Sequence, residues 1–162
     1  MTRSEIMSRI KSKNTKPEIL VRSFLHREGF RFSLHRKDLP GKPDLVLPKY
    51  RTCVFVNGCF WHAHDCEKFR MPKSNQDFWK DKFDTNKKRD KRKCRQLRRL
   101  GWSVLTIWEC EVVKSKRLET LARRIKRNEK NEHTSSKPCP RNRGVTAYRE
   151  VYTGTAGELR RR

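Results

Sequence analysis

The chain has 162 residues, with 42 Lys and Arg against 18 Asp and Glu, a formal net charge of +24 and a pI near 10.5. That length suits one compact domain with an extension and does not call for two. No apolar run reaches the roughly 18 residues of a membrane span, and no apolar stretch follows the first residues, so neither a membrane anchor nor a secretory signal is expected. A charge of this size repels itself unless an anionic partner neutralises it. Nucleic acid is the leading partner, ahead of a membrane surface bound by a basic amphipathic helix. The hydrophobic fraction is only 33%, but four Trp and eight Phe give a small core something to bury.

In chain order the first expected element is a short helix over residues 3–13, with Ile6, Met7 and Ile10 on one side. Thr15-Lys16-Pro17-Glu18 is a capping-box pattern. It opens a helix carrying Ile19, Leu20, Phe24 and Leu25, and Gly29 stops it. Phe30, Phe32 and Leu34 alternate with polar residues and read as a half-buried strand. After the turn Leu39-Pro40-Gly41-Lys42-Pro43 come two short apolar strands, Leu45-Val46-Leu47 and Cys53-Val54-Phe55-Val56. Pro48-Lys49-Tyr50-Arg51 joins them as a hairpin. Residues 57–73 are irregular and rich in Cys, His and aromatics. Ser74 with Asp77 starts a helix that runs to about Leu100, with Gly101 as its stop. Trp102 to Trp108 is apolar almost throughout and reads as a central strand buried on both faces. Leu118, Leu121, Ala122 and Ile125 mark a final amphipathic helix. The fold class is α/β, a mixed sheet flanked by helices. The domain spans residues 1–126. Residues 127–162, with nine Lys/Arg and four Asp/Glu around Ser135-Ser136-Lys137-Pro138, read as a basic, disordered tail.

Six cysteines stand at 53, 59, 66, 94, 110 and 139, unevenly spaced. In a reducing compartment thiols or metal ligands are expected rather than disulfides. Cys59, His64 and Cys66 fall within eight residues, and Cys110 is the best fourth member. Thiolates with an imidazole suit tetrahedral zinc, and four protein ligands make a closed structural site. By spacing alone, ordinary buried thiols and surface histidines remain the alternative. A hairpin sets Asp44, at the start of one strand, beside Val56 and Asn57 at the end of the other. A carboxylate with a backbone carbonyl and waters is the kind of oxygen site Mg²⁺ takes. His62 is a neutral-pH base and Asp90 a residue to orient it, which together are sufficient parts for phosphodiester hydrolysis. A Pro-Asp turn and a solvated helix acid are the plainer readings of Asp44 and Asp90. Residues 80–99 hold eleven Lys/Arg and three Asp, a cationic stripe for phosphates. Phe60-Trp61 is a candidate wedge between base steps, with packing on the metal loop as the alternative.

Several segments together carry a resemblance. They are Pro40-Gly41-Lys42-Pro43-Asp44, Gly58-Cys59-Phe60-Trp61-His62, His64-Asp65-Cys66, Asn86-x-x-Arg89-Asp90 and Gly101-Trp102 through Trp108-Glu109-Cys110. With Arg3-Ser4, Met7 and Glu18 they follow the order seen in the very-short-patch-repair (Vsr) DNA mismatch endonucleases, over residues 3–125. The resemblance implies a restriction-endonuclease-like fold. It implies an enzyme that nicks one strand of double-stranded DNA 5′ to the thymine of a T:G mismatch left by deamination of 5-methylcytosine, and so starts short-patch repair. By similarity Asp44 binds Mg²⁺ together with the Val56 carbonyl, His62 is the general base supported by Asp90, and Glu18 borders the metal–water network. Cys59, His64, Cys66 and Cys110 match the Zn²⁺ ligands, and Phe60, Trp61 and Met7 match the intercalating side chains. A monomer, contact with mismatch-repair proteins, and a cytoplasmic, nucleoid-associated location of prokaryotic type are expected from the same resemblance. The sequence departs from the family pattern at Val56, where Thr is usual, and at Asn57, where His is usual. The lysine typical of restriction enzymes is absent, with Gly58 near its place, as in the family generally.

Overall fold

The structure is a computed structural model that describes residues 13–132, and the side chains of 13–129. The expected helix over 3–13, with Met7, lies outside the described residues but for Lys13, and so does the segment from 133 onward. In chain order the elements are α1 (Lys16–Arg27), β1 (Ser33–Leu34), β2 (Leu45–Leu47), a 3-10 turn (Pro48–Tyr50), β3 (Thr52–Asn57), α2 (Gln76–Arg99), β4 (Ser103–Trp108), α3 (Glu109–Val112) and α4 (Ser115–Glu132).

α1 starts where the capping pattern places it. The Glu18 carboxylate reaches back to the Thr15 N–H at 3.4 Å and accepts from the Thr15 hydroxyl at 2.9 Å. The helix ends at Gly29, whose φ of +81° lets the Phe30 N–H return to the Leu25 carbonyl at 3.0 Å. That closure turns Phe30 into the core, 2% exposed, with its ring 5.2 Å from Tyr50. Phe30 therefore belongs to the helix cap. The strand expected from Phe30 shortens to Ser33–Leu34, with Leu34 facing solvent.

The four strands lie in the order β1-β2-β3-β4. β1, β2 and β3 are antiparallel neighbours, and the hairpin pairs Leu45 with Val54. β3 and β4 are parallel, from Thr52 opposite Ser103 to Asn57 opposite Trp108, with α2 as the crossover between them. One face of the sheet packs on α1, α3 and α4 through Val21, Leu25, Val54, Ile107, Leu121 and Ile125. The other face packs on α2 through Leu39, Val46, Cys53 and Leu97. The molecule is thus a mixed α/β fold with helices on both sides of a mixed sheet.

Two further expectations shift. β4 is an edge of the described sheet and is buried mainly on one face. Leu105 and Ile107 point into the core while Thr106 is exposed. Its apolar run reads as two-sided burial because Val104 and Trp102 pack on the smaller cluster beside α2. α4 continues through Glu132, past the boundary drawn at residue 126. Asn128 explains part of this, since its amide donates at 3.0 Å to both the Thr52 and Ser103 hydroxyls. No helix among the described residues is long and apolar enough to cross a membrane.

Candidate active site and nucleic-acid interface

The first cluster forms where α1, β1 and β2 meet. Asp44 stands just before β2, and its Oδ2 accepts the Val56 N–H at 2.8 Å. Glu18, in the first turn of α1, is 3% exposed. Its carboxylate also accepts from the Asn14 N–H at 3.1 Å and from Arg22 Nη2 at 2.6 Å. His35 lies between the two acids, with Nε2 3.6 Å from Glu18 Oε2 and Nδ1 3.8 Å from Asp44 Oδ1. One ligating atom from each of Glu18, His35 and Asp44 falls within 4.8 Å of the others. Burial pushes the Asp44 carboxyl up to about 6, the Val56 N–H opposing and the Glu18 charge adding to it. Burial likewise lowers the His35 pKa, against the pull of Glu18. A desolvated carboxylate pair of this kind suits a hard divalent cation such as Mg²⁺.

His35 is the residue that sequence reasoning missed. The register Ser33–Val46 and Leu34–Leu45 sets the next residue, His35, opposite Asp44, and the His35 N–H reaches the Asp44 carbonyl at 3.4 Å. Pairing β1 with β2 on the sequence, rather than only β2 with β3, would have brought it forward.

The second cluster lies beyond β3, on the face toward α2. His62 Nδ1 is 2.6 Å from Asp90 Oδ2. With the carboxylate accepting, Nδ1 carries the proton and Nε2 is left as the basic nitrogen. Burial lowers the His62 pKa, with Asp90 opposing. The pair opens on a cavity of about 590 Å³ with Phe55, Asn57 and Trp108 on one side and Lys87, Lys91 and Arg98 of α2 on the other. Val56 bonds Asp44 and its neighbour Asn57 lines this cavity, so the two clusters meet at the C-terminal end of β3. Gly41 lets α2 come close. A Cβ there would stand 2.9 Å from Lys93 Cδ, and its φ of +80° already favours glycine.

The third cluster is the Cys/His group. One ligating atom from each of Cys59, His64, Cys66 and Cys110 falls within 4.8 Å of the others, so the four can hold a metal ion. Cys59 is 1% exposed, and burial pushes its thiol up to about 12. The loop folds on itself, with the His64 N–H on the Cys59 carbonyl at 3.0 Å. The His64 ring stacks on Trp108 at 4.0 Å, and Cys110 follows at the start of α3. Cys53 instead lies in the core beside α2, and Cys94 borders the cavity.

Phe60 and Trp61 both join an aromatic cluster separate from the main core. The Phe60 ring lies edge-on to Trp61 and Trp79, each at 5.2 Å, and to Phe83 at 5.6 Å. Trp79 and Phe83 are buried, whereas Phe60 and Trp61 keep part of their surface exposed. Asn86, buried on α2, donates its amide to the Trp61 carbonyl at 2.9 Å. Trp79, Phe83, Asn86 and Leu97 form the inward stripe of α2. Its starting residue is Gln76 rather than Ser74, because Asn75 takes a left-handed φ of 52° as the cap.

A family profile described as DNA mismatch endonuclease Vsr matches residues 1–68. Type II nicking enzyme V.XorIIP of Xanthomonas oryzae pv. oryzae is 49% identical over 123 residues, covering 76% of this chain and 90% of the relative. V.NmeAIP of Neisseria meningitidis, also a type II nicking enzyme, is 48% identical over 128 residues, covering 76% and 91%.

The chain belongs to the Vsr family.

DNA mismatch endonuclease Vsr of Escherichia coli is 41% identical over 109 residues, covering 67% of this chain and 70% of that protein. A Vsr-family chain is a DNA endonuclease. α2 spans the run of eleven Lys/Arg, most of them exposed, and holds the wall of the cavity on which His62 opens. Exposed positive charge, the His62–Asp90 pair and the carboxylate cluster thus lie at one end of the sheet.

Proposed function

We propose that this Vsr-family chain is a Mg²⁺-dependent, strand-specific mismatch endonuclease. It nicks 5′ to the thymine of a T:G mispair and so starts short-patch repair of deaminated 5-methylcytosine. The observation that carries the reading is the His62–Asp90 pair at 2.6 Å, opening on a cation-lined cavity whose Asn57 wall adjoins the Asp44 site. His62 Nε2 takes a proton from the attacking water, and Asp90 stabilises the imidazolium that results. Asp44 would hold Mg²⁺, which when bound supplies positive charge at the scissile phosphate. The Val56 carbonyl would be a second oxygen for that ion. In an extended strand the N–H and C=O of one residue face the same side, and the Val56 N–H already faces Asp44. Only the backbone of Val56 is needed, so a valine serves. Glu18 borders the same site.

Cys59, His64, Cys66 and Cys110 take a structural Zn²⁺, for which three thiols and an imidazole are a suitable tetrahedral set. Bound there, it would brace the loop carrying Phe60, Trp61 and His62. The two aromatics, held from behind by Trp79, Phe83 and Asn86, are the wedge that opens the base step at the mispair. The restriction-endonuclease-like architecture fits the crossover from β3 through α2 to β4. The enzyme acts as a monomer.

The test is cleavage of end-labelled duplexes carrying T:G or T:A in several contexts, with Mg²⁺. A nick confined to the T strand of the mismatched duplex is expected. Equal cutting of T:A duplexes, or tight binding without cutting, overturns the reading.

A further inference from the structure

Arg22 and His35 are the two side chains at the carboxylate cluster that the proposed reaction leaves without a task. The Arg22 guanidinium sends Nη2 to Glu18 Oε2 at 2.6 Å and to His35 Nε2 at 2.9 Å, while Nη1 bonds Asn14 Oδ1 at 2.7 Å. A guanidinium only donates, so His35 Nε2 must accept. The ring proton is therefore on Nδ1, the nitrogen that faces Asp44 Oδ1 across 3.8 Å. That distance exceeds a direct hydrogen bond, and a water set to one side of the pair can contact both atoms. The backbone of His35 has a φ of +46°, uncommon for a residue with a Cβ, and the cross-strand position opposite Asp44 holds it there. Arg22 is itself anchored on Glu18 and Asn14, so ring orientation, tautomer and distance are all set by neighbours.

We propose that His35 is a positioning residue of the divalent-cation site: oriented by Arg22, its Nδ1–H holds a water between itself, Asp44 and Glu18 as part of the ion's hydration shell. Mg²⁺ keeps several of its waters in protein sites, so a donor fixed at that distance selects one arrangement of them. His35 does not ligate the ion directly, because the nitrogen facing Asp44 carries the proton. The inference rests on the proposed cation role of Asp44.

The experiment is titration of the full chain with Mn²⁺, read by the paramagnetic resonance signal of the free ion. Mn²⁺ is the probe because it shares the oxygen-ligand preferences of Mg²⁺. His35→Gly removes the ring at a backbone conformation glycine accepts without strain. It should weaken Mn²⁺ binding on the order of 10-fold, the usual scale for losing a group that orients a metal's ligands. His35→Asn places an amide donor near the position of Nδ1 and also tolerates the left-handed backbone, so it should keep most of the affinity. Unchanged binding in His35→Gly overturns the proposal. A His35→Asn chain as weak as His35→Gly also overturns it, since direct ligation by the ring is what asparagine would not restore. Asp44→Asn separates the two levels. If it binds Mn²⁺ as the parent does, or if the parent binds none, the cation reading of Asp44 fails, and His35 with it. If Asp44→Asn loses binding while His35→Gly keeps it, only the His35 proposal fails. Thermal melts of each variant exclude loss of fold as the cause.

Discussion

The Cys/His cluster and the Glu18–His35–Asp44 cluster are both gatherings of ligating atoms, but they are built oppositely. The first has soft donors, and three of its four members sit in the irregular segment between β3 and α2. The second has two carboxylates and an imidazole, each fixed by a helix start or a strand register. That segment has no helix or strand of its own, so an ion bound there would contribute folding free energy directly. A site mounted on α1 and the sheet edge is already ordered, and an ion there contributes charge rather than shape. In the proposed enzyme the metal that would brace the loop is thus separate from the metal that would act on the phosphate.

The largest effect should come from breaking the first of these. Chelation of the metal, or Cys110→Ser, should lower the melting temperature by roughly 10 °C or more and abolish both mismatch binding and nicking. Calorimetry with a binding assay checks this, and elemental analysis should find about one zinc per chain. A melting temperature unmoved by chelation removes the structural role. The next effect is confined to chemistry. His62→Ala should reduce single-turnover nicking by about 10²–10⁴ while duplex affinity and melting temperature stay close to the parent. Cleavage at the parental rate takes His62 out of the base role.

A smaller effect, of unusual sign, sharpens the contrast. Asp44 is buried and raised to about 6, so its ionised form opposes folding when no cation is present. The stability its protonated form allows is fully present below the unfolded value near 4 and is lost as pH rises through about 6. Asp44→Asn keeps an oxygen for the Val56 N–H and removes the charge. In cation-free protein at pH 7 it should be more stable by on the order of 1–3 kcal/mol, read by urea titration, although nicking is lost. The difference should shrink toward pH 4. Destabilisation at pH 7 would mean the carboxylate charge is compensated by its neighbours rather than held for an ion.

The same contrast explains what the sequence makes legible. Glu18 is readable because its capping-box position is a local, four-residue signal that the helix start satisfies. The β2–β3 hairpin is readable from two apolar runs and a turn, and it brings Asp44 to Val56. His35 was hidden because its role depends on β1 joining β2, and a two-residue strand hardly registers as a periodic pattern. The inward position of Trp79 was hidden too. Residues 80–99 look like a solvated charge run, and only the three-dimensional stripe through Phe83, Asn86 and Leu97 shows which side of α2 is buried. β4 misled for the opposite reason. Its apolar sequence says buried, but which neighbours cover each face is a property of the whole sheet.

Asn86 carries the smallest and most specific prediction. It is 6% exposed, and its amide holds the Trp61 carbonyl at 2.9 Å, tying the loop to the helix. Asn86→Ala removes one hydrogen bond and leaves a carbonyl that water can reach only in part, a change of about 1 kcal/mol. If the loop serves only as a zinc-braced scaffold, that change appears as a slightly lower melting temperature and nothing more. If Trp61 enters the base stack, its free placement must be set before DNA arrives, and the cost falls on the bound state. Affinity for a T:G duplex should then drop roughly five-fold, while affinity for a fully paired duplex, held by the cations of α2, stays the same. Competition binding with the two duplexes measures the ratio directly. An equal loss on both would assign Trp61 to the scaffold and leave the wedge to other side chains.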